Sequence, residues 1–381
     1  MRSSPIIEED IAAIAEAIKA DATPLSGRTV VISGGAGFLG RYFLGVFRYL
    51  NSRVLSRPCR VISVDNYITG EREGTFGVND DPQVLSLWAD VTAPLPVREP
   101  VHYIIHAAGL ASPVYYQQYP LETIESAVMG AKNLLELGKK NDLEGFLLFS
   151  SSEIYGDPDP RFVPTPETYC GNVSSIGPRA CYDESKRLAE TITRIYHERF
   201  GIPSTIVRPF NVYGPGMKPD DHRVVPTFAL KTLRGENLPV HGDGHQTRTF
   251  CYVTDALTGF FKVLLKGRPG EVYNVGTEDE EIPMRELASI FVEVAGAGTG
   301  ASAQTVSYPK TYPAGEPQRR APNLTKIRRE LDYAPVVRLR EGVLRFLQWA
   351  SREPAYVGKD IGSPAIAPAV PVAESVKRPQ R

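Results

Sequence analysis

Apolar positions along the first 210 residues follow two periods. Ile7, Ile11, Ile14 and Ile18 recur at spacings of four, three and four, which puts them on one face of a helix predicted over 6–20 and closed by Thr23-Pro24. That face is expected to pack on the main domain, with a contact to a second copy as the alternative. From Arg28 onward, short β-rich runs alternate with helical stretches. Strands are predicted at Thr29–Ser33, Arg60–Asp65, Val84–Trp88, Tyr103–His106, Phe146–Ser150 and Ser204–Arg208, and helices over Tyr42–Leu50, Leu121–Lys139 and Ala180–Phe200. This alternation predicts an α/β fold, a doubly wound parallel sheet with helices on both faces. After Pro209 the rhythm loosens. Turns dominate Gly214–His222 and His241–Gln246, and two further helices are predicted near Met284–Ala295 and Glu341–Arg352. The expected division is a helical extension (1–25), a main α/β domain (26–210), a smaller C-terminal substrate lobe with some return to the main domain (211–353), and a flexible Pro-, Ala- and Val-rich tail (354–381).

Composition narrows the function classes. A formal net charge of −1 offers no electrostatic case for nucleic acid or an anionic membrane as partner. No apolar run approaches the roughly 20 residues of a membrane helix, and Met1–Asp10 lacks the order of a signal peptide. Cys59, Cys170, Cys181 and Cys251 are scattered without metal spacing and read as reduced thiols of a cytoplasmic protein. His241 and His245 stand four apart, but Gly242 and Gly244 break a helix there, so a turn and no metal is expected.

Gly34-Gly35-Ala36-Gly37-Phe38-Leu39-Gly40 follows the first strand and opens a helix. Glycines in that place let the backbone turn tightly and approach a pyrophosphate at the helix N-terminus. Asp65 ends the second strand, 25 residues beyond Gly40. A carboxylate there accepts hydrogen bonds from adenosine ribose hydroxyls and repels a 2′-phosphate, which favours NAD over NADP in a Rossmann-type domain; Arg72 lies close by in sequence.

Tyr182-Asp183-Glu184-Ser185-Lys186 places Tyr182 and Lys186 one helical turn apart. Free tyrosine, with a pKa of about 10, is a poor base near neutrality, and a neighbouring ammonium lowers that value. Tyr182 can then take a hydroxyl proton as hydride leaves the same carbon. Ser150-Ser151-Ser152-Glu153 lies at the C-terminal end of a strand of the same sheet, where such folds bind ligands.

Together these residues resemble the extended short-chain dehydrogenase/reductase family that modifies nucleotide sugars. The match runs from about Thr29 to Trp349, and its telling stretches are Asp65–Gly70, Ser152–Pro158, Gly177–Glu184, Arg223–Val225 and Gly242–Arg248. Within that family the likeness is to the UDP-glucuronate decarboxylases. Ser152-Glu153 stands where 4,6-dehydratases carry an Asp-Glu pair and 4-epimerases a small residue, and Arg320 matches an arginine that the decarboxylases carry before a late proline. The resemblance implies NAD as cofactor, touching Gly34, Gly37, Phe38, Leu39, Gly40, Asp65, Asn66, Thr69, Gly70, Asp90, Val91, Ala107, Ala108, Tyr182 and Lys186. It implies Tyr182 as base, Ser151 and Ser152 on the 4-oxygen, and Glu153 and Arg320 on the carboxylate and the returned proton. For the nucleotide sugar it points to Ser112, Arg179, Asn211, Arg223, Val224, Arg248 and Tyr252, and it implies a homodimer formed through the helices near 121–139 and 180–200. Ala321 and Asn323 replace an expected Lys and Asp, and His106-Ala107-Ala108-Gly109 departs from His-Leu-Ala-Ser. A nucleotide-sugar 4-epimerase and a non-catalytic NAD-sensing protein remain the alternatives.

Overall fold

The computed structural model describes residues 4–70, 81–296, 299–308 and 317–358. Arg72 and the sequence after 358 lie outside them. The main sheet is built from β1 (Thr29–Ser33), β2 (Arg60–Asp65), β3 (Val84–Trp88), β4 (Tyr103–His106), β5 (Gly145–Phe149), β6 (Ser204–Pro209) and β7 (Val272–Val275). All seven are parallel, in the order β7-β6-β5-β4-β1-β2-β3. The helices are α1 (Pro5–Ile18), α2 (Phe38–Arg53), α3 (Pro113–Gln118), α4 (Pro120–Lys139), α5 (Ala180–Phe200), α6 (Val224–Leu233), α7 (Val253–Lys266), α8 (Met284–Ala295), α9 (Thr325–Leu331), α10 (Leu339–Ala350) and the single turn α11 (Pro354–Val357).

Strand residues alternate between two cores, as a two-residue side-chain period requires. Val30, Ile32, Ile105, Leu147, Phe149 and Val207 face Phe43 and Phe47 of α2 and Phe260 and Phe261 of α7. Val31, Ile62, Val64, Ile104, Phe146 and Leu148 face Ala131, Leu134 and Leu135 of α4 and Ala189 of α5. The strand order reverses between β1 and β4, so the crevice at their C-terminal ends is the ligand position of such a sheet.

Three features depart from the sequence reading. Helix α2 begins at Phe38, directly on the glycine loop, not at Tyr42. Helices α6 and α7 and strand β7 all fall where the rhythm reads as loose. The return to the main sheet is Val253–Val275, with α7 covering β5 and β6 and β7 pairing with β6. The third is the start of the expected tail. It forms α11, with Tyr356 buried and its hydroxyl donating to the Met217 carbonyl at 2.9 Å.

The N-terminal helix takes the main-domain option. Ile7, Ile11, Ile14 and Ile18 are fully buried where α1 packs on α2 and α7. Gly45 of α2 makes the close approach possible, since a Cβ there would stand 2.4 Å from Ile11 Cδ1. In the smaller lobe, the short strand Thr247–Arg248 lies between Ile282–Pro283 and Arg319–Arg320, with Arg320 in register with Arg248. Among the described residues no helix is long and apolar enough to cross a membrane.

Candidate active site

The glycine loop makes a cradle that side chains would fill. Gly34 has φ +76°, and a Cβ on it would stand 2.8 Å from the Ala108 nitrogen; a Cβ on Gly40 would meet the Gly34 carbonyl at 2.1 Å. Gly37 caps α2 without any side-chain hydrogen bond, leaving the first-turn N–H groups of Phe38 and Leu39 to a ligand anion. Asp65 is fixed at the mouth. Its Oδ2 accepts from the Ala36 N–H at 3.0 Å and its Oδ1 from the Tyr67 N–H at 2.8 Å. Burial raises its pKa, against those two donors and the charge of Lys218. Asp90 accepts from Asn66 Nδ2 at 3.0 Å and from the Thr92 N–H at 2.8 Å. Asn66, Thr69, Gly70, Asp90, Val91, Ala107 and Ala108 line one cavity with Gly34, Gly37 and Asp65, so these expected cofactor contacts share one cleft. A dinucleotide fits this set: an anion site at a helix N-terminus, a carboxylate for a ribose, and small residues between.

Behind the cleft sits His106, which sequence reasoning left without a role. Its Nδ1 bonds the Ser33 hydroxyl at 2.8 Å, and that same hydroxyl accepts from the Ala108 N–H at 3.3 Å. Burial, with Lys186 nearby, drives its pKa down to about 3, so the ring is neutral and serves to hold the Ala107-Ala108 loop.

Tyr182 sits in the first turn of α5, buried, with its ring stacked on Tyr116 at 5.4 Å and 19°. Lys186 Nζ lies 5.8 Å from that ring and donates to the Phe149 carbonyl at 2.8 Å. The expectation of a lowered tyrosine pKa needs correction. Burial pushes Tyr182 up to about 12, opposed by a hydrogen bond with Ser151. Burial also brings Lys186 down to about 8. Desolvation outweighs the neighbouring charge, because both groups pay for leaving water and the ammonium faces a carbonyl. Ser151 also accepts from the Glu153 N–H at 3.2 Å, opening the turn Ser152–Tyr155 after β5; Ser152 is buried within that turn.

That turn delivers Glu153 to two arginines. Arg320 grips it with both terminal nitrogens, Nη1 on Oε1 and Nη2 on Oε2 at 2.8 Å, and Arg179 Nη2 donates to Oε2 as well. Arg179 is the N-cap of α5, and Arg320 comes from the smaller lobe on a strand placed by Arg248. A bidentate guanidinium–carboxylate pair is among the strongest charge-assisted contacts. Asp183 joins them, with Oδ2 3.7 Å from Arg179 Nε. Sequence reasoning quoted Asp183 without assigning it a role. Its signal was the Arg179–Asp183 spacing of four on a helix, which puts both on the face that carries Tyr182's neighbours.

The expected substrate contacts divide. Arg223 caps α6 beside Val224, and its charge acts on Tyr182; it pairs with Asp221 through Nε and through Nη2 at 2.7 Å. Arg248 is buried and donates to the carbonyls of Thr247 at 2.8 Å and Pro317 at 2.7 Å. Asn211, at φ +42°, donates to the Thr249 carbonyl at 2.8 Å. Two residues are otherwise engaged. Ser112 Oγ donates to the Asp221 carbonyl at 2.6 Å, so it serves the 218–223 loop. Tyr252 is buried in the core with its hydroxyl on Asp10 at 2.9 Å, because its strand turns it toward α1 and α10 instead of the crevice. Lys218, which sequence reasoning passed over, reaches the Thr69 carbonyl at 2.9 Å and ties that loop to the cofactor cleft. Gly242 and Gly244 hold left-handed φ of +66° and +69° in the histidine turn, where His245 pairs with Asp243.

Over 318 residues, 84% of this chain, the sequence is 39% identical to UDP-glucuronic acid decarboxylase 1 of Arabidopsis thaliana, spanning 68% of that protein. UDP-glucuronic acid decarboxylase 5 of the same plant is 39% identical over 318 residues and 88% of its length. Among solved structures, DesIV, a dTDP-glucose 4,6-dehydratase from Streptomyces venezuelae with NAD and TYD bound, superposes with a TM-score of 0.74 at 27% identity, covering 86% of this chain and 98% of that one. Residues 30–276 match the NAD dependent epimerase/dehydratase family, and with the glycine cradle and the Tyr182–Lys186 pair inside that span, the chain belongs to it.

Proposed function

We propose that the protein converts UDP-glucuronate, or a closely related nucleotide uronate, to UDP-xylose through a 4-keto intermediate. The observation that carries this reading is Glu153 held by Arg179 and Arg320 beside Tyr182. NAD, held by the glycine cradle and Asp65, would supply a reversible hydride acceptor for C4 and would be regenerated in each cycle. Tyr182 takes the 4-hydroxyl proton, with Ser151 and Ser152 at the 4-oxygen and Lys186 on the nicotinamide ribose side. Oxidation at C4 makes the sugar a β-keto acid, whose carbonyl is an electron sink for loss of carbon dioxide. Arg320 and Arg179 supply the charge that places the carboxylate, and Glu153 handles the proton returned to C5. In this reading Arg223 and Arg248 are the cations for the nucleotide diphosphate. The relatives named as UDP-glucuronic acid decarboxylases support the same choice.

A homodimer in a cytoplasmic setting belongs to this reading. It is supported by exposed Leu121, Met129, Leu188 and Ile195 on α4 and α5, and by four free cysteines. The test is to incubate purified protein with UDP-glucuronate and follow the nucleotide sugar by mass spectrometry. Loss of one carbon dioxide is the expected result. Unchanged mass with an altered NMR pattern points to a 4-epimerase, and no turnover on any nucleotide sugar points to an NAD-sensing protein; either replaces the reading.

A further inference from the structure

Among the described residues, Asp183 is the carboxylate of the Glu153 cluster whose charge is incompletely met. Glu153 engages donors on both oxygens. Asp183 is buried, 6% exposed, and its Oδ1 has no hydrogen-bond partner among the described residues, while Oδ2 is 3.7 Å from Arg179 Nε. Arg320 Nε, on the other side of the cluster, is likewise buried without a partner among the described residues. The groups facing Asp183 are Glu153 from the turn after β5, Arg320 from the smaller lobe, and Arg179 and Glu184 from the N-terminal end of its own helix; Tyr182 adjoins it in the chain and Cys181 stands two residues before it.

Two carboxylates and two guanidiniums balance. A substrate carboxylate entering between the arginines makes three anions to two cations. An unbalanced charge in a site shielded from water is costly, and a proton on one carboxylate removes the imbalance. Glu153 would have to give up a guanidinium contact to accept it. Asp183 has a vacant oxygen.

We infer that Asp183 is a positioning residue that takes up a proton when the substrate's carboxylate binds, keeping the Glu153–Arg179–Arg320 cluster electrically neutral. This rests on the decarboxylase reading. Desolvation and Glu153 already hold the Asp183 carboxyl up at about 7, against the pull of Arg179 and Arg320. The proton balance of the reaction fits. When the C5–C6 bond breaks, its electron pair passes into the C4–C5 enolate and carbon dioxide leaves. C5 then takes one proton, so one proton enters the site for each carbon dioxide that departs.

The experiment is calorimetric titration at pH 8, in buffers of different ionisation heat, with the NAD-loaded Tyr182→Phe protein to block turnover. UDP-glucuronate is expected to take up about one proton more than UDP-glucose, which lacks the carboxylate. Lys186, brought down to about 8, contributes equally to both ligands and cancels. Adding Asp183→Asn is expected to abolish the difference. Binding of UDP-glucuronate with no excess uptake, or an excess that survives Asp183→Asn, overturns the inference and leaves the decarboxylase reading intact. Failure of UDP-glucuronate to bind overturns both. Because the two ligands are compared within one protein, absence of the excess overturns the inference whether or not the Asp183 variant folds.

Discussion

Tyr182 and Lys186 were legible as a pair because a spacing of four on a helix is a sequence property. Their proton affinities were not. Burial comes from Tyr116, Ser151 and the strand ends, residues scattered from 106 to 186. Burial sets a phenol pushed up to about 12 beside an ammonium brought down to about 8, so the phenolate needs a further positive charge next to it. Removing only the hydroxyl isolates that role. Tyr182→Phe keeps the stacked ring and is expected to lower turnover about 10³-fold, the scale of a lost general base, while NAD stays bound. Single-turnover kinetics with nucleotide extraction and cofactor quantitation check both halves. Near-normal turnover would refute the assignment. Arg320 was also visible, but only through a resemblance, since nothing local in Arg319-Arg320-Ala321-Pro322 says that it meets Glu153, 167 positions earlier.

Short and long elements differed in how readily they could be read. Strands of four to six residues between turn signals were found where one face or both carried a plain apolar run, as in β1 and β4. β7 and α7 were passed over. Val272–Val275 is short and carries Asn274, whose side chain is buried for bonds to Tyr155 and Thr165. α7 mixes β-branched and aromatic residues whose helical face becomes plain only against β5 and β6. Helix α1 was legible as amphipathic, yet its one polar core residue was not. Asp10 is 1% exposed, accepts from Tyr42 and Tyr252, and pairs with Arg345 Nη2 at 2.7 Å. Desolvation raises its pKa, opposed chiefly by Arg345. Removing one partner of a buried pair leaves the other uncompensated, so Asp10→Ala is expected to cost about 3 kcal/mol of stability. Denaturant unfolding measures it, and a loss below about 0.5 kcal/mol, the scale of an ordinary surface change, would show that the network contributes little.

At the scale of the whole molecule, α4 and α5 pack side by side and turn apolar side chains outward. Leu121 is 67% exposed, Leu188 47% and Met129 44%. A surface of that kind on paired helices is characteristic of an interface. The proposed dimer predicts that sedimentation gives twice the chain's 41.9 kDa, and that Leu188→Asp with Met129→Lys gives monomers that keep their fold by circular dichroism. A wild-type monomer at micromolar concentration would exclude this interface. The division into lobes was legible in outline, since alternation gives way after Pro209. The path by which the later chain recrosses to finish the sheet was not, because it depends on which strand edge remains open.

The contact between α1 and α10 has a consequence for the order in which the protein is made. Asp10 and Arg345 are 335 residues apart, so α1 leaves the ribosome long before its ionic partner exists. Its four isoleucines find α2 early but α7 only after residue 253. Throughout that interval the nascent chain carries an apolar stripe covered on one side only, the kind of surface that chaperones hold and that aggregates when they do not. Chains stopped short of α10 keep a buried carboxylate without its arginine, so the fold is complete only once α10 has been made.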